Sequence, residues 1–132
     1  MKRFVFATGL MNVLGGILFA VPDALLLVGI EAPANRFWLL LPALFLAFLG
    51  VILIFSSRDL ANRATIVFWD GFSRVTAFFV FLWFGLCAGM GNMVALLGIV
   101  DLAVALVYFV GLPRALDRGF LSILLDRHGT AG

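Results

Sequence analysis

The chain has one cysteine and one histidine, and these near-absences exclude whole classes of chemistry. Cys87 alone rules out a disulfide framework within the chain and any CxxC pair. It sits in an apolar run and reads as a small packing residue. His128, in the tail, is the only imidazole, so no membrane segment can supply a bis-His haem site, and there is no Cys/His cluster for zinc or an iron–sulfur centre. No metal and no other cofactor is expected. Charge is scarce too: 12% of the 132 residues are Asp, Glu, Lys or Arg, against 64% AVILMFWYC. Soluble domains run near a quarter charged and half apolar. The net charge of +2 does not suggest a nucleic-acid binder. No Gly-rich loop leads to a phosphate site, and no pair of acids at one depth suits general acid–base work.

What is present is apolar sequence in long runs, with a mean hydropathy of +1.20. A bilayer core of ~30 Å needs ~20 helical residues. The start, "MKRFVFATGL", has the basic residues and apolar stretch of a signal peptide, but Leu18 spoils a small-x-small cleavage pattern before Ala20, so a retained first span is expected. The spans fall at about 4–21, 37–55, 67–90 and 93–112, followed by an interfacial tail over 113–132. The third region decides the count. Residues 75–100 carry no charge and resemble one long helix, but "CAGMGN" at 87–92 is turn chemistry and divides them. The expected fold is therefore all-α: a single transmembrane domain over 1–132, built as a four-helix bundle.

The cations point to an orientation. With the N-terminus in the cytoplasm, Lys2, Arg3, Arg58, Arg63, Arg74, Arg114, Arg118 and Arg127 fall inside and only Arg36 falls outside, which is eight of nine on one side. Both termini are then cytoplasmic, and the expected membrane is an inner (plasma) membrane. "SSRDLANRATIVFWDGFSR" (56–74) opens with N-cap residues and keeps a helical spacing through Leu60, Ala64, Val67 and Phe68, which predicts an extended helix from near Asp59 into the third span. The segment "VPDALLLVGIEAPANR" (21–36) has an apolar centre too short to cross; it lies in the headgroup region or folds back over the bundle. In the tail, Leu116, Phe120, Ile123 and Leu124 share a face, as in an interfacial helix; a frayed tail is the alternative. Trp38 and Trp69 read as interface anchors, and Trp83, deeper, as packing. "GLCAG" (85–89) and "ALFLA" (43–47) are small-xxx-small patterns that allow close helix approach.

Against this background Asp101 stands out, at the midplane of the fourth span. An ionised carboxylate there costs at least ~2.5 kcal/mol, so it should face the bundle and find a partner or a proton. Asn12 lies at nearly the same depth. Arg74 lies lower, ~9 Å in if the third span enters the core near Phe68, and its long side chain can close the gap. The expected buried polar cluster is Asp101, Arg74 and Asn12, with Thr8, Ser73 and Thr76 as hydroxyl donors. Asp70 and Arg74 are spaced i, i+4, which offers Arg74 a partner on its own helix instead. Such a cluster is either an interhelical clamp or a protonatable site on a substrate or proton path.

The layout resembles that of the BphX-like and DoxX-like small four-helix bacterial membrane proteins. The resemblance runs over residues 9–112 and rests on "PDALLLVG", "SSRDL", "WDGFSR" and "GIVDLAVAL". It implies that Arg58, Asp59, Arg74 and Asp101 occupy positions typical of that group. Leu60 departs from it, standing where Pro is expected. Some DoxX-like relatives are membrane subunits of oxidoreductases.

Three roles follow as expectations. The first is a non-catalytic polytopic accessory or structural subunit of a larger membrane complex, its partners being the lipid bilayer and other membrane-protein subunits or further copies of itself. The second is an oligomeric small-solute or proton-coupled transporter using Asp101, though inverted repeats are not recognisable. The third is a membrane subunit of a quinone-linked oxidoreductase, which rests on family analogy.

Overall fold

The computed structural model describes residues 1–27, 29–30 and 33–126. Arg127 and His128, placed in the tail by the sequence reading, lie outside them. Among the described residues all regular structure is helical: α1 (Lys2–Phe19), α2 (Pro22–Leu27), α3 (Phe37–Arg58), α4 (Leu60–Leu86), α5 (Asn92–Leu116) and α6 (Phe120–Leu124). Four of these, α1, α3, α4 and α5, are long and apolar enough to cross a membrane. The chain is thus a multi-pass membrane protein in an all-helical fold.

The helix boundaries have local causes. The first span stops at Phe19 rather than residue 21 because Pro22, whose ring suits a helix start, opens α2 and disfavours helical backbone at Val21. Between α4 and α5 the chain turns at Gly89 (φ +77°) and Gly91 (φ +95°), conformations that a side chain would strain. The third span accordingly ends at Leu86, four residues short of the sequence boundary. At the other end α5 runs on through Pro113 to Leu116 and stops where Asp117 takes a left-handed conformation. The corner between α3 and α4 is a single residue, Asp59. Its side chain does not cap α4 as its residue type suggests; the carboxylate instead accepts both its hydrogen bonds, each 3.1 Å, from the Asn62 amide.

The bundle is two close helix pairs, α1 with α3 and α4 with α5, joined by a thinner seam. Small residues make each pair close. A methyl group added at Gly50 would sit 2.5 Å from the Gly9 carbonyl, and one at Gly16 would sit 2.6 Å from the Ala43 carbonyl. In the second pair Gly85 meets the Ala95 amide at 2.6 Å in the same sense. In lipid, where helix association gains little from the hydrophobic effect, such backbone approach supplies the van der Waals contact that holds helices together. Ala43 and Ala47 of "ALFLA" serve the α1–α3 contact. Of "GLCAG", only Gly85 packs closely, against α5, since Gly89 belongs to the turn.

Two apolar clusters close the ends. At the basal end, where the chain starts and α3 meets α4, Val5, Leu53, Leu60, Phe68, Leu112 and Ile123 are buried together. Leu60, at 1% exposure, therefore fills this core at the position where the resemblance expects Pro. The α6 turn is fastened there: the Thr65 hydroxyl reaches the Ile123 carbonyl and the Asp126 carboxylate, each at 2.8 Å. At the opposite end α2 folds over the bundle and buries Leu25 and Ile30 against Leu39 and Val94. The flanks between are apolar and open, as a lipid-facing surface requires: Leu14, Phe45 and Phe79 are each more than half exposed. Trp83, expected to pack, is 64% exposed on this surface. Cys87 is also exposed, because the turn lifts it out of the bundle.

Candidate functional site

The buried positions of α4 run Leu60, Ala64, Val67, Phe68, Gly71 and Arg74, one stripe of a helix turning toward the bundle. Arg74 is thus carried inward by the same periodicity that buries its apolar neighbours. The helix is continuous from Leu60, so Arg74 lies ~21 Å along it, near its middle.

Three nitrogens of Arg74 reach three side chains on three helices. Nε donates to Asp70 Oδ2 at 2.7 Å, one turn back on α4. Nη1 donates to Asp101 Oδ1 at 2.6 Å on α5. Nη2 donates to Asn12 Oδ1 at 3.0 Å on α1. The two ways of pairing Arg74 that the sequence leaves open thus occur together. Only a planar, multi-donor guanidinium can hold three acceptors in this way; an ammonium would hold a looser subset. Asp70 and Arg74 are almost fully enclosed, whereas the Asp101 side chain keeps 21% exposure.

Two carboxyl groups share one guanidinium, so the cluster is neutral with one of them protonated and carries an excess negative charge with both ionised. The sequence reading found no acid pair at one depth, and this is corrected. The i, i+4 partner on α4 and the α5 aspartate converge on one cation. Two enclosed atoms, Asn12 Nδ2 and Asp70 Oδ1, have no hydrogen-bond partner among the described residues. One is a donor and the other an acceptor. The second carboxylate oxygen of Asp101 also has no partner among the described residues.

A second polar contact crosses the same seam. The Thr8 hydroxyl donates to the Val5 carbonyl at 3.0 Å, and the Tyr108 hydroxyl therefore donates to Thr8 Oγ1 in a short hydrogen bond. Tyr108 is fully buried and meets the Phe4 ring edge-on, with 5.8 Å between ring centroids. The sequence analysis did not single it out. Its signal was there: it is the only tyrosine, seven residues from Asp101 and hence on the same face of α5.

The other residues expected in the cluster lie elsewhere. Thr76 is on the exposed side of α4 and its hydroxyl donates to the Phe72 carbonyl at 3.2 Å. Ser73 donates to the Asp70 carbonyl at 3.0 Å. Both satisfy their own helix, the usual fate of hydroxyls in apolar surroundings. Arg58 and Asp59 belong to the basal end, where the Arg58 guanidinium lies 5.2 Å from the centre of the Phe55 ring. Among the described residues no group of three His, Cys, Asp or Glu side chains could hold a metal ion.

Chemically, the Arg74 hub can bind two helix pairs together, and it presents one half-covered carboxylate edge on an otherwise apolar flank. Compared with protein-family models, with curated proteins and with solved structures, the chain matches none of them.

Proposed function

We propose that this chain is a non-catalytic accessory subunit of a larger membrane complex, with both termini cytoplasmic in a bacterial inner membrane. The observation that carries the reading is Asp101. One of its oxygens is held by Arg74, while the other has no partner among the described residues and the side chain remains 21% exposed. An exposed carboxylate edge on a membrane-spanning helix is costly, and a donor from a neighbouring membrane helix would satisfy it. The lipid-facing flank around it is rich in large apolar side chains, which suits helix-to-helix docking. The orientation rests on the concentration of Lys and Arg at the basal end, and the resemblance to BphX-like and DoxX-like proteins agrees with a subunit role.

The test is a mild-detergent pull-down of the tagged protein from native membranes, with mass spectrometry of what accompanies it. A stoichiometric membrane partner that is lost in Asp101→Leu, while the variant keeps its helical signal, is the expected result. Recovery of the protein alone, or as copies of itself, sinks the accessory-subunit reading.

A second reading has its own observation. Two carboxyl groups on one cation and the unpaired Asn12 Nδ2 and Asp70 Oδ1 are what a site for a proton or a small polar solute would present. Flux in reconstituted vesicles that follows a pH gradient and disappears in Asp101→Asn would establish transport.

A further inference from the structure

At the basal end a cleft of about 240 Å³ opens between the start of α1 and the end of α3, lined by Lys2, Arg3, Phe6, Ser57 and Arg58. Among the described residues, three of the five that line it are cations and none is an acid. Neither Lys2 nor Arg3 has a hydrogen bond or ion pair with another side chain among the described residues. The Arg58 guanidinium lies 5.2 Å from the centre of the Phe55 ring, within cation–π range, and has no ion pair among the described residues. The nearest carboxylate in sequence, Asp59, is engaged by Asn62. The Ser57 hydroxyl gives its proton to the Ile54 carbonyl at 2.6 Å, so the cleft's attraction for an anion comes from its charges. Like charges held together without a counter-ion cost energy, which a bound anion recovers.

The surface leading away from the cleft identifies the anion. Phe6 lies in the cleft wall, and above it Leu10 on α1 and Val51 on α3, four residues from Phe6 and seven from Arg58, are exposed. A cationic mouth at the end of two spans, continuous with an apolar flank, matches an amphiphile rather than a free ion.

We propose that this cleft binds the phosphate headgroup of an anionic phospholipid from the leaflet at the basal end, with its acyl chains along the exposed flank of α1 and α3. The inference is independent of whether the protein has a subunit partner. Basic pockets between transmembrane helices at a membrane surface are suited to such headgroups, and each cation contributes about a fivefold gain in binding.

The experiment is native mass spectrometry of the full chain released from vesicles of equal parts phosphatidylcholine and phosphatidylglycerol. Selective retention of phosphatidylglycerol is expected, falling roughly fivefold in each of Lys2→Gln, Arg3→Gln and Arg58→Gln. Arg36→Gln, at the opposite end, should leave it unchanged. Because all four side chains are exposed, circular dichroism should show intact helices throughout. Equal retention of phosphatidylcholine, or retention that survives the triple substitution, would overturn the proposal. So would displacement of the lipid by millimolar inorganic phosphate, which would assign the cleft to a free anion.

Discussion

Asn12 on α1 and Arg74 on α4 meet across the seam between the two helix pairs, Asn12 Oδ1 accepting from Arg74 Nη2 at 3.0 Å. With Thr8 and Tyr108, this makes the seam polar, whereas α1 and α3 meet through glycine and alanine. The pairs are therefore joined to each other by directional hydrogen bonds, while α1–α3 is held by backbone proximity and α4–α5 by backbone proximity together with the Arg74–Asp101 ion pair. The two kinds of contact should respond differently to substitution.

Arg74→Ala should destabilise the bundle by about 3–5 kcal/mol, because it leaves buried carboxylates without their cation. In an Asp101→Asn background the same change should cost less, since one of those carboxylates is then neutral. Reversible unfolding in mixed micelles of the two single variants and the double variant measures the coupling. Strictly additive losses would count against a shared ion pair.

The hydroxyl pair should be asymmetric. Thr8→Val leaves the buried Tyr108 hydroxyl without an acceptor, at about 1–3 kcal/mol. Tyr108→Phe leaves Thr8 still bonded to Val5, so only the net value of one hydrogen bond is lost, about 0.5–1.5 kcal/mol. The order of the two melting temperatures checks this, and the reverse order would mean that the donor assignment is wrong.

Gly50→Ala should separate α1 from α3, since the new methyl meets the Gly9 carbonyl and the Val13 amide at 2.5 and 2.7 Å. Overpacking of this kind costs about 1–3 kcal/mol. Gly119→Ala meets nothing within 4 Å and serves as the control. Thermal unfolding of the two variants side by side should show a shift only in the first.

Cys87 gives a native probe of orientation. It is the only cysteine, it is exposed, and it lies at the end of the bundle opposite Met1. With cytoplasmic termini, a membrane-impermeant maleimide should label it from the periplasmic side of spheroplasts and not from outside sealed inverted vesicles. Labelling in the opposite pattern would reverse the topology.

The number of spans was legible because its signals are local. Hydropathy marks each run, and "CAGMGN" supplies the glycines that the turn at Gly89 and Gly91 needs. The extension of α4 back to Leu60 was legible for a similar reason, since the helical spacing of Leu60, Ala64, Val67 and Phe68 is written along one stretch. The Gly9–Gly50 and Gly16–Ala43 contacts were not legible: the chain has 14 glycines, and which of them face each other depends on helix rotation. In the polar cluster, residue type and approximate depth gathered Arg74, Asp101 and Asn12. The rotation of α4 turned Thr76 outward, and the sequence had no means of fixing that rotation to one residue. Trp83 and Cys87 were read as packed because apolar sequence in a membrane protein fills both the interior and the lipid face.

The bond between Asp70 and Arg74 lies within one helix, whereas the contacts to Asn12 and Asp101 require neighbours. This difference has a bearing on biogenesis. A lone arginine midway along a nascent span is a heavy burden for insertion, but α4 brings its own counter-ion one turn away, so the segment can enter the bilayer as an internally neutralised unit. The arrival of α5 then adds the second carboxylate to a site already partitioned from water. Assembly would proceed from a salt bridge made in cis to one completed in trans.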